Sequence, residues 1–384
     1  MTMDYSIEGR HYKTRVPIRV EIKEGFISKV ELIEKCDHKA ILAPGLVDLQ
    51  VNGFQGIDFN EAHTKKEDVT AVTQSIWNVG VTSYFPTVIT NSDSSISGSI
   101  RRILKACSAD PLVDQTIRGI HLEGPFISKE PGPLGAHPAA FVQKPNWELF
   151  CKWQDQAEGK ITLITMSPEW PGSADFIRKC VASGVKVAIG HTAATPIQIK
   201  EAVAAGASLS THLGNAAHVM LPRHTNYIWE QLANDQLWCS CIADGFHLPL
   251  AVLQVIFKVK WDKCLLVSDS TKFAGLSPGS YQSPIGGEVV LNENGRLSLK
   301  ENPELLAGSA KSLLDCVAFL VKHKLLSLAD ALEMASINPL QFLNPSNDPG
   351  LTTGSKADLL VLKQQNDEIA LLKVFKSGKL VYSV

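Results

Sequence analysis

Eight short apolar runs that read as strands recur along the middle of the chain, with helically spaced stretches between most of them. The runs are 46–51 (LVDLQV), 82–89 (TSYFPTVI), 117–123 (IRGIHLE), 161–167 (ITLITMS), 185–191 (VKVAIGH), 207–212 (ASLSTH), 237–244 (LWCSCIAD) and 264–269 (CLLVSD). Helical spacing marks 67–78, 174–183, 197–205 and 248–258, and two closing helices are expected over 313–322 and 328–335. Eight strands separated by helices predict an α/β fold, a (β/α)8 TIM-like barrel. A doubly wound open sheet is the rival architecture, but no G-x-G-x-x-G follows the first strand to support it.

The two ends read differently. Residues 1–43 are short strands and turns without a helical period, and 357–362 and 369–384 are strand-like around a Ser-Gly-Lys turn. Two β-rich ends around a different middle predict one small β domain built from both termini. The expected division is therefore 1–43, a barrel over 44–340, and 341–384. At 384 residues the chain has room for a large barrel with such an appendage.

Composition narrows the function classes. With 45% hydrophobic and 20% charged residues and a formal net charge of -2, nothing argues for nucleic acid or a membrane surface. No run approaches the roughly 18 apolar residues that span a bilayer, and MTMDYSIEGRH has no basic-then-apolar signal pattern. The eight cysteines are scattered, mostly in apolar segments, as expected of reduced thiols in a cytoplasmic protein. Cys239 and Cys241 are the only close pair, and core packing is expected of them because no second cysteine cluster completes a site.

Chemistry concentrates at the ends of the runs. In a barrel, active-site groups sit at the C-terminal ends of strands and on the loops that follow. Those positions hold Gln50 and Asn52, Glu123, His191, His212, Asp244 and His247, and Asp269. Glu123, His191 and His212 form a carboxylate with two imidazoles, suited to zinc or a similar divalent ion with a position open to water. Such an ion lowers the pKa of bound water to about 7 and polarises a carbonyl. Asp269 then takes the water's proton and passes it to a leaving group. A lone buried histidine is more often a hydrogen-bonded core residue than a ligand; three ligand-type residues ending different strands of one barrel reverse that. His121, two residues before Glu123, is read as structural. His137, in the loop 131–138 (PGPLGAHP), either hydrogen-bonds a substrate carbonyl or caps its loop.

At HLEGP (121–125), GHT (190–192), THLGNA (211–216), ADGFH (243–247) and SDS (268–270), the chain resembles the N-acetylglucosamine-6-phosphate deacetylase family of the amidohydrolase superfamily. PGLVDLQVNG (44–53) and GSKADLLVL (354–362) extend the resemblance over nearly the whole length. It implies a barrel with a β-sandwich, usually as a homodimer, that hydrolyses the acetamide of an amino sugar phosphate to the free amine and acetate. By motif position, Glu123, His191 and His212 match the metal ligands, Asp269 the acid/base aspartate and His137 the histidine near the substrate carbonyl. Ala136, Asn215, Ala216, His247 and the stretch Leu306, Ala307, Gly308 match substrate contacts. Arg223, eleven residues beyond His212, matches a phosphate-binding arginine that often reaches into the neighbouring subunit.

Two departures stand out. Many amidohydrolases carry His-x-His at the end of the first strand and bind a second metal there. This chain has Gln50-Val51-Asn52, and amides are poor replacements for imidazole at a transition metal, so one divalent ion per chain is expected. The ion is expected to be zinc, with iron or another divalent metal as the alternative. The second departure is the bulky aromatic segment HTNYIWEQL (224–232) after Arg223. A deaminase or cyclic-amide hydrolase would share the metal chemistry, and only Asn215, Arg223 and His247 argue against it. An inactive barrel used as a scaffold would be expected to show a degraded ligand set.

Overall fold

The computed structural model describes residues 4–36, 39–283, 287–344 and 350–384. Its centre is a ring of parallel strands: β1 (Leu46–Val51), β2 (Val81–Ile89), β3 (Ile120–Glu123), β4 (Ile161–Met166), β5 (Lys186–Ile189), β6 (Leu209–Ser210), β7 (Trp238–Ile242) and β8 (Cys264–Val267). They hydrogen-bond in chain order from β1 to β8. The ring closes where Val51 bridges Ser270, and the Asn52 N–H donates to Ser270 O at 2.8 Å.

Alternation along the strands sorts the side chains into two apolar layers. Val47, Leu49, Leu163, Ala188, Leu209, Ile242, Leu265 and Val267 fill the barrel interior, plugged by Phe342 of the helix Ile337–Leu343. Leu122, Ile164, Val187, Ile189 and Leu266 face outward into the helical layer. The helices begin where caps allow. Thr195 Oγ1 accepts from Gln198 N while the Thr195 N–H donates to Gln198 Oε1, with Pro196 at the first helical position. Ser312 and Asp315 form the same capping box ahead of Leu313–Lys322.

The termini join as one seven-stranded sheet, antiparallel except for the pairing of Tyr5–His11 with Ala40–Pro44. Its N-terminal strands continue through Ala40–Pro44 into Leu359–Gln365, Glu368–Lys376 and Lys379–Ser383. The sheet curls: the Ile27 N–H donates to Ser355 O at 2.9 Å, and the turns at Gly25 and Gly378 touch.

The barrel strands are shorter than the apolar runs. β5, β6, β7 and β8 end two residues before His191, His212, Asp244 and Asp269. Three of these four residues have positive φ: 49° at His191, 28° at His212 and 47° at Asp269. Left-handed backbone cannot continue a strand, so the ladder stops and the side chain is re-aimed at the mouth. The run 117–123 likewise pairs as a strand only from Ile120. A three-stranded sheet over Gly279–Ser283, Gly287–Leu291 and Leu297–Leu299 was not anticipated; its short, largely polar strands bury only a small cluster around Phe273 and Val289. The thiol pair also gains a member, because strand register sets Cys264 beside Cys239. Cys241 Sγ lies 3.7 Å from Cys239 Sγ and 3.8 Å from Cys264 Sγ, all three buried. Among the described residues, no helix is long and apolar enough to cross a membrane.

Candidate active site

Glu123 is the last residue of β3, and its carboxylate points into the C-terminal mouth of the barrel. His212 Nε2 lies 3.1 Å and His191 Nε2 lies 3.3 Å from Glu123 Oε1, and the two imidazole nitrogens are 3.1 Å apart. All three ligand-type atoms fall within 4.8 Å of one another, and all three residues are buried. The His191 Nδ1–H donates to Pro133 O at 2.8 Å, which leaves Nε2 with its lone pair toward the cluster. Two imidazole nitrogens and a carboxylate converging on one point fit a divalent cation of the zinc type. Burial works against a charge on Glu123, but its contacts with His191 and His212 outweigh that and hold its carboxyl well below the usual range.

The amides at the C-terminal end of β1, Gln50 within the strand and Asn52 just beyond it, complete the cluster. Gln50 Nε2 donates to Glu123 Oε1 at 2.7 Å, and Asn52 Nδ2 donates to Asp269 Oδ1 at 2.8 Å. Val47 and Leu49 line the interior, so strict alternation would send Gln50 outward. A register irregularity between Asp48 and Val51 accompanies its turn toward Glu123. Asp269 is part-buried, and desolvation followed by repulsion from Glu123 pushes its pKa up to about 6.

His137 is brought to the same mouth by its loop. Its ring packs edge-on to His191 with centroids 4.4 Å apart, and its Nε2 is 3.9 Å from Glu123 Oε2. Burial first and the neighbouring His191 second lower its pKa to about 3, so it is a neutral imidazole. Gly135 lets the loop come this close: its φ is +57°, and a Cβ there would sit 3.2 Å from His191 Cε1. Beneath the mouth, His121 Nε2 meets Thr165 Oγ1 at 2.7 Å, and Thr165 Oγ1 meets Thr211 Oγ1 at 2.7 Å. This chain of polar groups ties β3, β4 and the residue before His212 together, consistent with the structural reading of His121.

The family follows from the comparison of the whole chain. Residues 41–381 match the model of the Amidohydrolase family. The chain belongs to that family. Its curated relatives include the N-acetylglucosamine-6-phosphate deacetylase of Bacillus subtilis, 31% identical over 334 residues, which are 86% of this chain and 82% of that protein. The deacetylase of the same name from Bos taurus is 33% identical over 359 residues, 90% of this chain and 84% of the relative. Among solved structures, the N-acetyl-D-glucosamine-6-phosphate deacetylase of Mycobacterium smegmatis matches with a TM-score of 0.86 at 25% identity, covering 98% of each chain.

Within this amidohydrolase the remaining residues named from sequence are distributed around the mouth. His247 is oriented by Asp244, whose Oδ2 accepts from His247 Nδ1 at 2.7 Å while Oδ1 accepts the Phe246 and His247 N–H groups. Asn215 follows His212 in a turn closed by its N–H on His212 O at 2.9 Å, and Ala216 has φ +46°. Ala136 is exposed on the His137 loop. Leu306, Ala307 and Gly308 run past the strand end that carries Asp269, where the next residue, Ser309, bridges Ser270 and accepts from Thr271 N at 2.9 Å. Arg223 is not drawn into the cluster: it is exposed in the loop after β6, as are Val219, Met220 and His224. Sequence places Gln50 and Asn52 at the mouth but does not assign their hydrogen bonds to Glu123 and Asp269. Their position at the end of β1 was the available signal.

Proposed function

We propose that this amidohydrolase removes the acetyl group of N-acetylglucosamine 6-phosphate, giving glucosamine 6-phosphate and acetate. The observation that carries the reading is the convergence of Glu123, His191, His212 and Asp269 on one buried point, in a chain whose curated relatives bear that deacetylase name.

In this reading Glu123, His191 and His212 hold one divalent ion, which we expect to be zinc. When bound, it polarises the acetyl carbonyl and acidifies the nucleophilic water. Asp269 takes the proton as the water oxygen bonds to the carbonyl carbon. It delivers that proton to the sugar nitrogen as the C–N bond breaks. His137, kept neutral by burial, offers an N–H to the developing oxyanion. His247, oriented by Asp244, together with Asn215, Ala216, Ala136 and Leu306–Gly308, contacts the sugar. Arg223 clamps the phosphate through its planar fork of donors.

Support for a homodimer comes from one surface. Trp229 on the helix Tyr227–Ala233 and Val252, Val255 and Val259 on the helix Leu250–Lys260, which pack together, are exposed apolar side chains, as is Trp261 just after the second helix. We place the protein in the cytoplasm on its cysteines, of which Cys107, Cys180, Cys239, Cys241, Cys264 and Cys316 are buried as reduced thiols. We divide it into a barrel over 44–340 and a β domain from 1–43 and 341–384.

The test is acetate release from N-acetylglucosamine 6-phosphate beside the unphosphorylated sugar, on metal-analysed protein. Preference for the phosphate with about one metal per chain supports the reading. Bound metal with neither sugar cleaved discards the substrate, and light scattering at the same concentrations reads the dimer.

A further inference from the structure

We propose that Asn52 is the positioning residue for Asp269: it fixes which carboxylate oxygen handles the proton, an inference that rests on the deacetylase reading above. Asn52 Nδ2 donates to Asp269 Oδ1 at 2.8 Å. A proton on Oδ1 would meet that N–H head-on, so Oδ1 stays an acceptor and Oδ2 is the oxygen that takes and returns the proton. The carboxylate then ends each turnover as it began, with one water O–H broken and one N–H formed.

The surroundings hold both partners rigidly. The N–H groups of Asn52 and Gly53 donate to Ser270 O at 2.8 and 3.2 Å, the residue directly after Asp269. Ser270 N donates to Ser268 Oγ at 3.1 Å, and the Ser270 hydroxyl donates to Gly53 O at 3.1 Å. The seam that closes the barrel is thus also the frame of the Asn52–Asp269 contact. Asp269 sits at φ 47°, a conformation that costs free energy in a non-glycine residue and persists only where its surroundings impose it. Asn52 Oδ1 is buried with no hydrogen-bond partner.

The experiment is a double-mutant cycle read in kcat, KM and metal content on Asn52→Ala, Asp269→Asn and the pair, with the isosteric Asn52→Asp alongside. Loss of the donor should lower kcat about 100-fold, the scale of a misplaced reacting group, with KM and metal content unchanged. In the Asp269→Asn background, Asn52→Ala should change kcat by less than about two-fold. An equal loss in both backgrounds, or a loss confined to KM or metal content, overturns the assignment. A wild-type protein that releases no acetate defeats the deacetylase reading instead. In that case melting temperatures of the four metal-free proteins decide the contact: non-additive shifts support it and additive shifts overturn it.

Discussion

Gln50 Nε2 lies 2.7 Å from Glu123 Oε1, the same oxygen that His212 Nε2 approaches at 3.1 Å. The amide of the first barrel strand therefore buttresses the metal ligand rather than joining it. Orienting partners of this kind typically carry 10- to 100-fold of metal affinity. Gln50→Ala should weaken divalent-ion affinity by roughly that factor, measured by competition with a chelator, while the fold persists. Gln50→Glu sets a second carboxylate against Glu123 and should change affinity differently from Ala. Unchanged affinity in both variants would remove Gln50 from this role.

Asp269→Asn keeps the shape of the side chain and removes its basicity. Turnover should fall by about 100- to 10,000-fold, the usual contribution of a positioned acid/base group. Metal content and melting temperature should stay near those of the parent. Near-normal turnover in the folded, metal-loaded variant would take the proton-transfer role away from Asp269.

Asp48 gives the protein a pH dependence of stability. It is buried in the closing seam, where its Oδ1 accepts from Ser268 N at 3.2 Å and Gln50 N at 3.3 Å. Burial pushes its pKa up to about 7, against the pull of those bonds. The folded value lies above the unfolded one, so the folded chain holds this proton more tightly. Its contribution to stability is complete below about pH 4 and is lost as pH rises through about 7, on the order of 4 kcal/mol. Asp48→Asn removes the titration and keeps the acceptor. Between pH 4 and pH 8 the parent should lose stability relative to this variant in urea unfolding; parallel curves would refute the shift.

Lys376 is wholly buried and pairs with Asp358 Oδ2 at 2.7 Å, while Asp358 Oδ1 accepts from Ser377 N at 2.7 Å. Removing one partner strands a buried charge. Asp358→Ala should cost about 3–5 kcal/mol, and Lys376→Met added to it should restore much of that loss. Denaturant unfolding of the three variants reads both effects. A mild Asp358→Ala phenotype would show that water reaches Lys376 once its partner is gone.

The sequence alone determined the repeating unit. The apolar runs are short, most lie next to a helically spaced stretch and most end in a polar residue, and eight such units have one natural closed arrangement. It therefore placed Glu123, His191, His212 and Asp269 at one mouth, because strand ends in a parallel ring all face the same way. It also identified the two β-rich termini as partners. Tertiary structure decided what spacing cannot encode. The strands stop two residues before His191, His212 and Asp269 because left-handed backbone at those positions breaks the ladder. Gln50 turns inward through a register irregularity that no alternation pattern predicts. Asn52 meets Asp269 only because β1 and β8, 217 residues apart at that contact, close the ring. Periodicity is a local property of the chain; a hydrogen bond between its first and last barrel strands exists only once the ring has closed.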